Sequence, residues 1–490
     1  MTIISMPAAL RRWAEADPRR PALTIEDRTL TRGELEARTN RLARAFQDLG
    51  VRPDSFVTIA LPNCLAYVES AIAALKLGAT PQPVCGKLPQ AEFDAIVRLA
   101  NPALIVGAEA MDFPKFRTVP PDFSPAAGTP DGPLPDRIAT HWKAPTSGGS
   151  TGLPKLIVSG GRAEIDDNVP AFAPPFMLPR EGAVLAPGPL YHNGPFTYAI
   201  QALLRGNHVV LMRRFDAAQC LALIERHSVQ AVLLVPTMMS RIWKLPADDR
   251  TRHKLESLRI VYHMASHCPE WLKDAWIEWL GAERIYELYG GTEQQALTFI
   301  QGTEWLKHRG SVGRCLFGQM KILDDHGREP GPRQVGEIYM KPPEGAPPTY
   351  RYIGAEATRI GDWETLGDIG WFDEDGYLYL ADRRTDLILR GGANIYPAEV
   401  EAALDEHPAV QSSAVIGIPD EDLGQCVHAI VQARGAVTDA ELRQHLATRL
   451  APHKLPSSYE FVDQPLRDDS GKVRRSALRD ARVNGGGSSS

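Results

Sequence analysis

Residues 147–155 read SGGSTGLPK. Three glycines, three hydroxyl side chains and a lysine stand within nine residues, which is the composition of a backbone that wraps an anion. Adjacent glycines let backbone N–H groups converge on one point, and Ser147, Ser150, Thr151 and Lys155 add donors and a positive charge. The stretch is not GxxxxGK[ST], so it does not announce the usual nucleotide loop. A plain Gly/Ser turn is the competing reading, and the rest of the chain has to decide between them.

Upstream, TLTRGELEARTNRLARAFQDLG (29–50) has the pattern of a capped helix. Thr31 and Glu34 form a T-x-x-E capping box, and Leu35, Leu42, Ala43, Phe46 and Leu49 share one face. Gly50 stands where a helix ends. SFVTIALPN then reads as a strand, and helix–strand alternation returns through 183–290, which predicts α/β layers. Residues 118–140 are rich in Pro, Gly and Asp and read as a surface loop leading into the glycine-rich motif. From 311 the texture is β-rich, with hairpin turns expected at Asp-Asp-His-Gly and Asp-Glu-Asp-Gly. After Arg383 a block of about 90 residues has its own pattern of helix, strands and helix, and a GGGSSS tail follows it.

Composition narrows the function. A chain of 490 residues exceeds one ordinary core, so two or more domains are expected. A net charge of −6 offers no basic surface for nucleic acid. No apolar run reaches the ~20 residues that span a bilayer. The N-terminus MTIISMPAALRRWAEADPRR lacks an apolar segment with a cleavage site, and the six cysteines are scattered, so a cytoplasmic protein is expected.

Three further stretches carry chemistry. In ELYGGTEQQ (287–295), Tyr289 offers a face for stacking, Gly290 and Gly291 admit a ligand to the backbone, Thr292 gives a hydroxyl, and Glu293 is a hard oxygen ligand suited to Mg²⁺. In GDIGWFDEDGYLYLADRRTDLILRGGANIYPAEVEAAL (367–404), Asp368 has the chemistry to accept from ribose hydroxyls, with Arg383 on the same hairpin. DDSGKVRR near the end places Lys472 beside a glycine. Taken singly, each is equally a turn or a solvated charge; their order and spacing give them weight.

Together these motifs resemble the adenylate-forming superfamily of acyl- and aryl-CoA synthetases, peptide-synthetase adenylation domains and luciferases. The likeness runs from about Leu30 to Arg475. It rests on the Ser/Thr/Gly-rich loop ending in Gly-x-Pro-Lys, on Tyr-Gly-x-Thr-Glu at 289–293, on Gly-Asp-x-Gly at 367–370, on the match at 382–386, and on Gly-Lys at 471–472. The resemblance implies a large multi-layer N-terminal domain over 1–384, of α/β sheets plus a small β-barrel-like part. It also implies a smaller, mobile α+β domain over 385–480 and a flexible tail over 481–490, with the hinge at Thr385.

It further implies an acid–CoA ligase that uses ATP, Mg²⁺ and CoA and passes through an acyl-adenylate. A ligase that loads a carrier-protein phosphopantetheine is the alternative. By the same resemblance, Ser147, Gly148, Gly149, Ser150, Thr151, Gly152 and Lys155 hold the leaving pyrophosphate. Tyr289 with Gly290 and Gly291 takes the adenine, Asp368 and Arg383 the ribose, and Thr292 the α-phosphate. Glu293 and Thr151 hold the metal, and Lys472 reaches the carboxylate and α-phosphate. His192, Asn193, Gly194 and Gly291 border the acid pocket, and Arg390, Gly391 and Gly392 face CoA. The acid, the pathway and the choice between monomer and homodimer stay open.

Several residues depart from the family pattern. Gly194 and Gly291 suggest a wide pocket and hence a bulky hydrophobic or polycyclic acid. Gly148 stands where relatives often carry Ser or Thr, and Asp382 replaces the frequent Gly before Arg383. HMASHCPEW places His263, His267 and Cys268 at a spacing that suggests a metal, but packing beside the nucleotide is the stronger reading. Asp468 and Asp469 are expected to form salt bridges within the mobile domain.

Overall fold

The structure is a computed structural model that describes residues 2–109, 111–148, 154–468 and 471–483. Its frame is a sheet in which six strands run parallel. They stand in the order Pro21–Ile25, His208–Leu211, Ala183–Ala186, Ala231–Leu234, Ile260–His263 and Ile285–Gly290. The sequences VVL, AVLA and AVLL are apolar throughout, as expected for strands covered on both faces. A second, smaller parallel sheet contains Phe56–Ile59, Thr80–Pro83, Leu104–Val106 and Thr118–Val119.

Helix Leu65–Lys76 packs against strands of both sheets, so nearly every residue from Leu65 to Lys76 is buried. A helix with no polar face has to lie between two layers. The expected helix runs Arg32–Asp48, with the Thr31–Glu34 capping box formed and Gly50 at φ 96° just beyond it. Residues 120–145 carry no helix or strand, in keeping with the loop expected over 118–140.

The β-rich segment extends the large sheet with antiparallel strands. Leu297–Gln301 and Ser311–Phe317 continue from Ile285–Gly290, and Leu378–Arg383, Trp363–Phe372, Gly336–Lys341 and Gln319–Leu323 follow. Both expected turns are hairpin turns: Asp324 accepts from the backbone of His326 and Arg328, and Asp373 from that of Asp375 and Tyr377. Beyond Thr385, Ile388–Arg390, Ala393–Ile395, Val410–Asp420, Gly424–Ala433 and Ser458–Phe461 form their own sheet. Val400, Leu404, Val415, Val427 and Leu442 fill an apolar core beneath it.

Candidate active site

The carboxyl ends of the parallel strands face one way, and four loops leave from that edge. Ala183–Ala186 leads to His192 and Asn193, Ala231–Leu234 to Thr237, Ile260–His263 to Met264, and Ile285–Gly290 to Thr292 and Glu293. Open parallel sheets bind ligands at this edge, because helix N-termini and loop backbones gather there. The antiparallel hairpin Trp363–Arg383 brings Asp368 and Arg383 to the same place, as cross-strand partners.

The wall they form is tightly cross-linked. Tyr289 donates its hydroxyl to Asp368 at 2.8 Å, and Arg383 Nε donates to the other carboxylate oxygen at 3.2 Å. Asp368 holds the Arg383 guanidinium pKa above its ordinary value. Burial, then the Asp368 charge, pushes the Tyr289 phenol well up, so it remains a donor. Tyr289 therefore aims Asp368, a role the sequence reading did not give it. Glu293 is buried and accepts from the Tyr352 hydroxyl at 2.5 Å, while Lys155 lies 3.7 Å away. The Lys155 ammonium also sits 3.8 Å from the centre of the Tyr352 ring. Desolvation lowers its pKa, and Glu293 opposes that shift. The next residue, Gln294, has φ 56°, a left-handed backbone that turns the chain sharply after Glu293.

The opening motif forms a hairpin. Thr146–Gly148 pairs with Pro154–Ser159, Ser147 opposite Lys155. Gly149, Ser150, Thr151 and Gly152, between those strands, lie outside the described residues, as does Asp469. The other edge of Pro154–Ser159 pairs with Tyr350–Ile353, which carries Tyr352 to Glu293. The alternation Tyr350-Arg-Tyr352-Ile is the strand signal in the sequence here.

Lys472 comes from the far end of the chain. Its loop is closed by backbone bonds, Asp468 N to Lys472 O at 3.0 Å and Gly471 N to Asp468 O at 2.9 Å. The Asp468 carboxylate accepts the Lys472 backbone N–H at 3.0 Å, so it shapes the loop. A Cβ added to Gly471 would lie 2.5 Å from the Thr237 hydroxyl, which places this loop against the parallel-sheet edge. The Lys472 side chain is solvent-accessible yet ringed by cleft walls. Desolvation is the first cause lowering its pKa, Arg383 adds to it, and Asp468, Asp368 and Glu293 oppose it.

Other expectations fare differently. At Gly291 a Cβ would meet Leu366 at 2.4 Å and Glu293 at 2.7 Å, so its missing side chain serves packing, which corrects its use as evidence of pocket width. At Gly194 a Cβ would meet only Met264 Sδ, at 3.3 Å. His263 is fully buried, 3.9 Å from Glu287, and burial pushes it down to about 4. Lys273 donates to the same Glu287, and Cys268 is buried with its thiol pushed well up. His263 lies beside Glu287 on the neighbouring Tyr289 strand of the same sheet. Gly391 and Gly392 have φ 54° and 82° in the turn after Arg390, whose guanidinium donates to His453 O at 2.7 Å. Thr385 is exposed beside Asp386, which accepts from Arg475 at 2.7 Å. Among the described residues, no helix is long and apolar enough to cross a membrane.

The chain matches two family models. Residues 10–347 match the AMP-binding enzyme model, and residues 399–472 match the AMP-binding enzyme C-terminal domain. The fatty acid–[acyl-carrier-protein] ligase ScoC of Streptomyces coeruleorubidus is 30% identical over 95% of this chain and 94% of its own. A 2-succinylbenzoate–CoA ligase of Bacillus licheniformis is 29% identical over 97% of this chain and all of its own (100%). Among solved structures, o-succinylbenzoate CoA synthetase (MenE) from Bacillus subtilis in complex with the acyl-adenylate intermediate OSB-AMP superposes with a TM-score of 0.82. That similarity carries 27% identity over 99% of each chain.

Proposed function

The chain belongs to the AMP-binding enzyme family, and from that premise we propose that it activates a carboxylic acid with ATP and passes the acyl group to CoA. The acid attacks the α-phosphate, giving acyl-AMP and pyrophosphate; the CoA thiol then attacks the acyl-AMP, giving acyl-CoA and AMP. The observation that carries this reading is the convergence of Lys472 with Asp368, Arg383 and Glu293 in one cleft. These residues are separated by up to 179 positions (293 to 472) in sequence.

A carboxylate approaching a phosphate meets like charge. Lys472 is positioned to neutralise both, and Lys155 to meet the departing phosphates beside Glu293. The donor set suits a magnesium nucleotide. Glu293 is a buried hard-oxygen ligand with a cation next to it, and a magnesium ion there would neutralise phosphate charge. Asp368, fixed by Tyr289 and Arg383, retains lone pairs for ribose hydroxyls. The chain divides in this reading into 1–384, which binds acid and nucleotide, and 385–480, which brings and withdraws Lys472 about Thr385. Withdrawal would let Arg390, Gly391 and Gly392 approach the thiol tunnel. The acid would be bulky, entering beside His192, Asn193 and Gly194.

A carrier-protein thiol is the second acceptor, favoured by the likeness to an acyl-carrier-protein ligase. Incubation with CoA and, separately, with holo-carrier proteins distinguishes them: the proposal expects thioester with CoA. Acid-dependent pyrophosphate release across a carboxylic acid panel tests the activity itself. No release from any acid contradicts it, and a best kcat/KM for short straight-chain acids contradicts the bulky-acid reading.

A further inference from the structure

Lys143 is 1% exposed and lies just before the opening motif. Its ammonium donates to Asn193 Oδ1 and, at 2.8 Å, to the Thr197 hydroxyl, which itself donates to Asn193 Oδ1 at 3.3 Å. The Trp142 ring lies 4.5 Å away. Among the described residues, no carboxylate pairs with this lysine, and burial alone pushes it down to about 7. A buried amine with only dipoles for partners is destabilising. The Thr197 hydroxyl accepts from Lys143 and gives its own proton to Asn193, so the Asn193 atom that faces both is the oxygen.

The amide group of Asn193 is planar, so with its oxygen turned inward its NH₂ turns away from Lys143. Asn193 is half-buried and opens helix Asn193–Leu204 at the carboxyl edge of the parallel sheet. No described residue accepts from its Nδ2. A Cβ on the neighbouring Gly194 would come within 3.3 Å of Met264 Sδ.

We infer that Lys143 and Thr197 lock Asn193 so that it presents a hydrogen-bond donor to the acyl group, and that the acid therefore carries an acceptor — oxo, ether, hydroxyl or carboxylate — along its chain or ring. The inference rests on the reading of residues 192–194 as the acid pocket. Asn193 contacts substrate; Lys143 is a positioning residue that acts through it. A donor that gives up water to the bound acid and finds no acceptor there disfavours the analogue that lacks one.

The test is a pyrophosphate-release screen of matched acids: decanoate with its 4- to 7-oxo derivatives, and phenyl- and cyclohexylalkanoates with their oxo and methoxy counterparts. The leading acid is expected to carry an acceptor, with kcat/KM at least about tenfold above its hydrocarbon partner. That ratio should collapse toward one in Asn193→Leu and in Lys143→Met. Asn193→Asp, which replaces the donor with an acceptor, should turn preference toward hydroxy acids over oxo acids. A leading acid without an acceptor, or a ratio unchanged in Asn193→Leu, overturns the inference. Absence of release from every acid would instead sink the proposed activity, so the two failures are distinct.

Discussion

The two walls of the cleft are built in different ways. On one, side-chain bonds tie Tyr289 and Arg383 to Asp368, and Glu293 to Tyr352 and Lys155, and Tyr289 is anchored in the sheet. On the other, Lys472 stands on a loop closed mainly by its own backbone and its neighbour Asp468, and it meets the first wall through space. A cross-linked wall keeps its geometry with or without ligand. A loop held mainly by its own backbone can leave that wall at small cost. The difference suggests that binding is preorganised and the reactive charge is delivered.

The sharpest way to break this comparison is Lys472→Ala. Adenylate formation should fall by about 10²–10³, the loss typical of a removed charge-stabilising contact. Thioester formation from supplied acyl-AMP should be largely spared. Equal losses in both half-reactions, measured as pyrophosphate and thioester, would make Lys472 part of a fixed site. Glu293→Gln should lower pyrophosphate release by about 10² and weaken the response to added magnesium. Gly392→Val forces a β-branched side chain onto φ 82° and should slow thioester formation about tenfold more than adenylation.

Tyr289→Phe removes one bond to Asp368 and should raise KM for ATP a few-fold, with kcat nearly unchanged, in steady-state kinetics. The smallest effect concerns Asp382. Its carboxylate accepts from Ala398 N at 2.8 Å and Arg383 N at 2.7 Å, yet burial pushes it up to about 6. Because the folded form holds this proton to higher pH than the unfolded chain, stability from this group falls as pH rises from about 4 to about 6. Asp382→Asn should flatten the change in Tm over that window.

Most of the layered architecture was legible, because strands covered on both faces are written as apolar runs and the Thr31–Glu34 box writes its own helix start. The motif residues were legible where chemistry and spacing coincide, as at Tyr289–Glu293 and Asp368. The rest depended on contacts between distant segments. Tyr352 gains meaning only when its strand pairs with Pro154–Ser159, and Thr237 only when Gly471 lies against it. Gly291 misled because a missing side chain reads the same whether it opens a pocket or admits Leu366. Lys143 carries no local signal at all, since its partners are 50 and 54 positions away.

The most direct test of the central claim uses an acid labelled with ¹⁸O in its carboxylate, turned over with ATP and CoA. If the carboxylate attacks the α-phosphate, the AMP produced carries one ¹⁸O. Label found in inorganic phosphate, with ADP as the nucleotide product, would contradict the account.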